Sequence, residues 1–225
     1  MKMGEVKIIE LKASIFENNN ERAEKLRGEL KKKGTYLLNV MSSPGSGKTT
    51  TLVNVINRLK DDLKIAVMEA DIDSDKDAKT VASETGVTSI QLHTGGMCHL
   101  DADMTRQGVE EVGDGFDLVI LENVGNLVCP AEFDTGAVKS INILSVPEGD
   151  DKPLKYPLMY EVSSLVLVNK IDVLPYFDFD LEKCKSYIER RNPNSKVIPI
   201  SAKTGEGVQE FADWIKEEVA AWKSN

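Results

Sequence analysis

The sequence predicts an α/β fold built on a mostly parallel, doubly wound sheet, and three observations predict it. Seven short runs, at 36–41, 65–69, 89–92, 118–121, 141–146, 165–168 and 197–200, are apolar almost throughout, as strands covered on both faces are. Helical patterns separate most of them, so successive strands are joined by crossovers rather than hairpins. The first strong run leads into Ser42-Ser-Pro-Gly-Ser-Gly-Lys-Thr49, which opens a helix. That strand–turn–helix setting is the one in which a glycine-rich turn cradles phosphate.

Taken in chain order, residues 14–33 read as an amphipathic helix with Leu26 and Leu30 on its apolar stripe, closed by Gly34. The run Lys31-Lys32-Lys33 reads as a solvated helix C-terminus, where cations complement the peptide dipoles. The expected division is an N-terminal helical segment, 1–34, followed by a phosphate-loop domain, 35–225. In the last helical pattern Phe211, Trp214, Ile215, Val219 and Trp222 recur at helical spacing, an aromatic stripe that reads as core packing.

The bulk numbers exclude several classes. A chain of 225 residues, 41% hydrophobic and 29% charged, buries one substantial core. The net charge of −9 opposes a nucleic-acid surface, which needs a concentrated Lys/Arg footprint. No run approaches the roughly 18 apolar residues of a membrane span, and the N-terminus shows no secretory signal. Three cysteines cannot pair evenly, which suits a reducing cytoplasm where thiols stay available for metals.

The nucleotide reading starts from Pro44, Gly45, Ser46, Gly47, Lys48, Thr49 and Thr50. Gly45 and Gly47 let the backbone curl until its N–H groups face phosphate oxygens, and the following helix N-terminus adds positive potential. Lys48 reaches the β- and γ-phosphates, and the Thr49 hydroxyl holds Mg²⁺. Position 42 is Ser where the strict motif has Gly. Asn169-Lys170-Ile-Asp172 caps the run 165–168 and resembles the base-reading motif of GTPases. The Asp172 carboxylate accepts from guanine N1–H and its 2-amino group. Adenine would leave that charge unpaired, at a cost of about 2–5 kcal/mol. Ser201-Ala202-Lys203, after the last run, resembles the loop that supports guanine through backbone amides.

On the Mg²⁺ side, Glu122 ends the run 118–121 as a Walker-B-like acid. Gly125 stands where an Asp-x-x-Gly motif has its γ-phosphate-sensing glycine, although Glu replaces the Asp. Asp71 follows the run 65–69 as the leading Mg²⁺ or water-orienting residue of a first switch; Asp75 reads as helix N-terminal charge. Lys48, Asp71, Glu122 and Gly125 are thus the catalytic set, and Thr49, Asp71 and Glu122 the magnesium set. No residue is identifiable as an arginine finger, so unassisted hydrolysis is expected to be slow.

A second constellation concerns a softer metal. Cys98-His99 lies in a loop before a helix, and Cys129-Pro130 follows 31 residues after Cys98, just past the Walker-B-like acid. Thiolate and imidazole suit Zn²⁺ or Ni²⁺, yet by spacing alone two ordinary buried cysteines fit equally well. Three ligands leave a tetrahedral site one short, which points to an open position, a water or ligands shared across a dimer. Cys184 reads as a structural thiol and His93 as a strand-end polar residue.

These motifs together resemble the HypB family, the nickel-insertion GTPases of [NiFe]-hydrogenase maturation, on a SIMIBI-type GTPase fold. The matching stretches are Ser42–Thr50, Thr94-Gly-Gly-Met-Cys-His-Leu-Asp-Ala102, Glu122-Asn-Val-Gly-Asn-Leu-Val-Cys-Pro-Ala131, Glu148-Gly-Asp-Asp-Lys-Pro-Leu-Lys-Tyr-Pro157 and Asn169–Asp172. The resemblance implies a cytoplasmic GTPase that forms a homodimer with GTP and binds Ni²⁺ or Zn²⁺ through Cys98, His99 and Cys129. It also implies nickel delivery, with a companion metallochaperone, to a hydrogenase large-subunit precursor, and places 151–155 near the nucleotide or the dimer contact. No cysteine precedes Cys98 and the chain has two histidines, so a metal-storage role is not expected. Rival readings on the same fold are a urease- or cobalamin-type accessory GTPase, or a regulatory GTPase without a metal duty.

Overall fold

Every one of the seven apolar runs forms a strand, and all the strands are parallel, because each crossover carries the chain back across a face of the sheet. The structure is a computed structural model that describes residues 6–11, 18–71 and 74–224. Among these, the strands are β1 (Lys7–Glu10), β2 (Tyr36–Ser42), β3 (Ile65–Asp71), β4 (Thr88–His93), β5 (Leu118–Glu122), β6 (Lys139–Ser145), β7 (Ser163–Asn169) and β8 (Lys196–Pro199). They form one sheet in the order β1-β4-β3-β5-β2-β6-β7-β8. β1 was not expected. Its four residues are largely exposed and sit on the sheet edge, so they carry no continuous apolar run.

The helices are α1 (Asn19–Lys33), α2 (Lys48–Leu59), α3 (Lys76–Thr85), α4 (Ala102–Val112), α5 (Cys129–Glu132), α6 (Lys152–Lys155), α7 (Pro157–Glu161), α8 (Leu181–Arg191) and α9 (Val208–Ser224). The period of two along β2 sorts its side chains between layers. Tyr36, Leu38 and Val40 pack with α2 and α9 on one face. Leu37 meets α1 and α4 on the other, and Met41 meets α7 and α8. The sheet is therefore doubly wound, as expected.

Residues 14–17 of the expected first helix lie outside the described residues; from Asn19 onward α1 packs Ala23, Leu26 and Leu30 into the core. Gly34 adopts φ +67° and caps the helix by donating to Leu30 and Lys31 carbonyls, the left-handed ending that glycine tolerates best. Arg27 of α1 reaches Asp134 with both terminal nitrogens, at 2.9 and 2.7 Å, and Ala137 O at 3.0 Å. In the lysine run Lys32 and Lys33 are exposed, as expected of a solvated helix end, while Lys31 is partly covered. Lys31 donates to Trp222 O and lies 4.5 Å from the Trp222 ring centre, and Lys33 pairs with Asp114 at 2.8 Å. On α9, Phe211, Trp214, Ile215 and Val219 are buried, as their stripe suggests.

Strand order also brings distant turns to one end of the sheet. β5 lies between β2 and β3, so the end of β5 adjoins both the turn after β2 and the end of β3. Leu26→Ala empties a fully buried site under α1 and is expected to lower unfolding free energy by about 2–5 kcal/mol in urea denaturation.

Candidate nucleotide and metal site

The turn after β2 is held open by its glycines. Gly45 and Gly47 adopt φ +76° and +97°, and a Cβ on Gly47 would stand 2.5 Å from Asn169 Nδ2. Only glycine satisfies both the left-handed backbone and that close approach. Ser42, the departure from the strict motif, has a local role. Its buried hydroxyl accepts from Lys48 Nζ at 2.9 Å and Ser46 Oγ at 2.7 Å, and donates to Ser43 O. The serine thus holds the lysine over the turn. Ser43 in turn donates to Glu148, whose other oxygen accepts from the Ser145 N–H and hydroxyl at 2.7 Å. The conspicuous segment beginning at Glu148 is thereby tied to the turn through Glu148 rather than through Lys152 or Lys155. Lys155 pairs with Asp151 at 2.6 Å.

Asn169, Lys170, Asp172, Ala202 and Lys203 line a cavity of about 230 Å³ that shares Gly47 and Thr50 with the phosphate turn. Asn169 donates to Ser46 O at 2.9 Å and accepts from the Lys170 and Ala202 N–H groups at 2.7 and 3.0 Å. Lys170, in the left-handed region at φ +65°, donates to Gly45 O at 2.7 Å. Ser201 donates to Asp172 Oδ1 at 2.7 Å, which orients the carboxylate. The two short motifs read from sequence are thus brought together with the phosphate turn.

Lys48, Thr49, Asp71, Glu122 and Gly125 line a larger cavity of about 450 Å³. Thr49 Oγ1 lies 3.5 Å from Glu122 Oε1. Gly125 packs on the turn itself, since a Cβ there would come within 3.2–3.3 Å of Pro44. Asp71 Oδ1, at the end of β3, accepts from the Ser74 N–H at 2.9 Å. Asp75 precedes the first turn of α3 and its carboxylate pairs with Lys79, in keeping with helix N-terminal charge; Asp73 lies outside the described residues.

Sequence reading missed Glu69 and Gln91, which line the same cavity. In the sequence Glu69 reads only as the last residue of an apolar run. The signal that could have found it is the one used for Glu122, a carboxylate at the C-terminal end of a buried parallel strand. Burial, followed by the facing Glu122 carboxylate, pushes the Glu69 carboxyl well above its usual range, and burial pushes Glu122 upward as well.

Cys98 and Cys129 come together, with Sγ atoms 2.9 Å apart. The hydrogen bond with Cys98, followed by burial, raises the Cys129 thiol above its ordinary value. Asp101 anchors their loop by accepting from the Met104 N–H at 2.8 Å at the start of α4. His99 stacks on Phe133 at 3.8 Å between ring centres, and burial lowers its pKa. Among the described residues no group of three or more His, Cys, Asp or Glu side chains is gathered to hold a metal ion. A single chain therefore presents a thiol pair rather than a closed cluster. Cys184 is fully buried, its thiol pushed up to about 12 by that burial, and His93 Nδ1 lies 2.8 Å from Glu10 Oε1. Among the described residues no helix is long and apolar enough to cross a membrane.

A phosphate turn, a strand-end acid beside it and a base-side cavity on a doubly wound parallel sheet define a phosphate-loop nucleotide-binding protein. The family model described as CobW/HypB/UreG, nucleotide-binding domain, matches residues 36–199. Hydrogenase maturation factor HypB from Escherichia coli K12 is 42% identical over 220 residues, covering 97% of this chain and 76% of that protein. The crystal structure of HypB from Helicobacter pylori in complex with nickel superimposes with a TM-score of 0.84 at 37% identity, covering 90% of this chain and 95% of that one. HypB from Archaeoglobus fulgidus does so with a TM-score of 0.83 at 36% identity, covering 89% and 98%. The chain belongs to the HypB family of hydrogenase maturation factors, as its motifs suggested.

Asn169→Ala would strand the Ser46, Lys170 and Ala202 backbone groups at once. It is expected to lower stability by about 2–4 kcal/mol in thermal or urea unfolding and to weaken nucleotide binding at least tenfold by calorimetry.

Proposed function

We propose that this protein is a GTP-hydrolysing metallochaperone that couples the state of its nucleotide to the binding and delivery of nickel, or zinc, to a [NiFe]-hydrogenase precursor. One observation carries the coupling: the segment 122–129 touches the phosphate turn at Gly125 and meets Cys98 at Cys129. Glu122 at its start faces Thr49. GTP with Mg²⁺ draws the Gly125 amide toward the γ-phosphate and fixes the segment. Hydrolysis releases it and shifts the Cys129 thiolate, changing metal affinity.

The donor sets separate two metals by hardness. Thr49, Asp71 and Glu122 offer oxygen atoms beside the phosphate turn, which suits Mg²⁺ as a nucleotide-borne Lewis acid. Cys98, His99 and Cys129 offer thiolate and imidazole to the cargo ion. The nickel in the Helicobacter pylori HypB complex supports the same cargo here. The thiol pair, short of a closed set, favours a GTP-dependent homodimer whose two copies complete the coordination between them. Delivery then proceeds in the cytoplasm with a companion nickel metallochaperone and the hydrogenase large-subunit precursor.

Guanine selection rests on Asp172, oriented by Ser201. Asp172→Asn is expected to weaken GDP binding by about 2–5 kcal/mol while improving xanthosine diphosphate binding, read by competition titration. Unchanged GDP affinity would overturn guanine recognition. Nickel titrations are expected to give different affinities with GDP and with a non-hydrolysable GTP analogue, by the reciprocity of linkage. Cys98→Ser and Cys129→Ser are each expected to lose that nickel binding; equal nickel affinity in both nucleotide states would sink the coupling.

A further inference from the structure

The parallel register aligns Gln91 of β4, Glu69 of β3 and Glu122 of β5 in one row across three adjacent strands. Partners in register lie about 4.8 Å apart and project to the same face. All three line the cavity that holds the phosphate turn. They are 1%, 3% and 4% exposed, respectively.

Each has one oxygen without a hydrogen-bond partner: Gln91 Oε1, Glu69 Oε1 and Glu122 Oε2. The Gln91 amide is not free to turn, because its Nε2 already donates to Glu69 O at 2.9 Å. Its carbonyl end is therefore the end left over. Lys48 lowers the cost of charge on both carboxylates but already donates to Ser42, and Asp77 adds further negative charge. An unsatisfied buried acceptor costs about 1–3 kcal/mol. A proton shared between the facing Glu69 and Glu122 carboxyls answers part of that cost, and donors arriving from the cavity answer the rest.

The donors that fit are cation-bound waters. Mg²⁺ dehydrates reluctantly and keeps several waters when it rides on nucleotide phosphates. Glu122 already faces the Thr49 hydroxyl, so the row runs from the threonine side of the cavity inward to β4. We propose that Glu69, with Gln91 beside it, completes the outer shell of the nucleotide-borne Mg²⁺ by accepting hydrogen bonds from its waters. Glu69 is then a positioning residue of the magnesium site, acting through water, and Gln91 the neutral end of the same row. The inference rests on the proposed binding of a guanine nucleotide at this cavity.

The test uses the full chain and GDP carrying a fluorescent label, titrated first in chelator and then over increasing Mg²⁺. Glu69→Gln keeps the shape and removes the ionisable carboxyl; Gln91→Leu removes the acceptor. Glu69→Gln is expected to hold GDP in chelator within about twofold of the wild type. Its Mg²⁺ midpoint for tightening GDP is expected to rise at least tenfold, the usual size of an outer-shell loss. Gln91→Leu is expected to shift the midpoint in the same direction by less. Without nucleotide, Glu69→Gln is expected to melt no lower than the wild type, since it removes one of two facing buried carboxyls. A wild-type midpoint in Glu69→Gln overturns the proposal, as does weaker GDP binding in chelator with an unchanged midpoint, the mark of a purely structural role. If the wild type binds no GDP at all, the nucleotide reading itself fails, a separate result.

Discussion

The nucleotide end of this protein depends on one buried amide. Asn169 sits at the end of β7, almost wholly shielded from water, and its side chain satisfies backbone groups from three separate turns. It binds the phosphate turn through Ser46, its own loop through Lys170, and the following loop through Ala202. Inside a low-dielectric wall each such bond is strong, and each orphaned partner would be expensive. Gly47 accepts the consequence: it has no side chain because the Asn169 amide occupies the space. The glycine-rich turn and the loops after β7 and β8 are therefore tied into a single frame.

Beside that frame runs the segment that links the larger cavity to the thiol pair. From Glu122 to Cys129 the chain leaves β5, crosses Pro44 at Gly125 and reaches the thiol of Cys98. Its start is locked by buried amides, since Asn123 donates to Asn39 at 3.1 Å and that residue donates to Ser140 at 3.0 Å. Beyond Asn123, Val124 is buried, Leu127 and Ala131 pack against the core, and α5 is a single short turn.

Much of the fold and part of the site were legible in the sequence. The apolar runs were visible because strands buried on both faces admit almost no polar residue, and the phosphate turn because its glycines, lysine and threonine act within eight consecutive positions. Asn169, Asp172 and Ser201 were readable in the same way. Glu69 and Gln91 were not, since each looks like an ordinary strand residue until parallel register sets it beside Glu122. β1 escaped because an exposed edge strand has no apolar run, and the ties of Lys31 and Lys33 because their partners lie far along the chain.

The sequence by itself determined the class of fold, the family and the residue types at the candidate site: hydroxyl and carboxylate oxygen beside the glycine-rich turn, sulfur beyond it, and a carboxylate after β7. These come from residue identity and short-range spacing. Only the tertiary structure decided which of those groups meet. Strand order put β5 between β2 and β3, and so set Glu122 against both Thr49 and Glu69. Chain folding over a separation of 31 positions brought Cys98 to Cys129, while His99 stacked on Phe133. The physical reason is that motifs are encoded along the chain, whereas proximity across a parallel sheet is set by crossovers whose cores carry no trace of the chemistry they align.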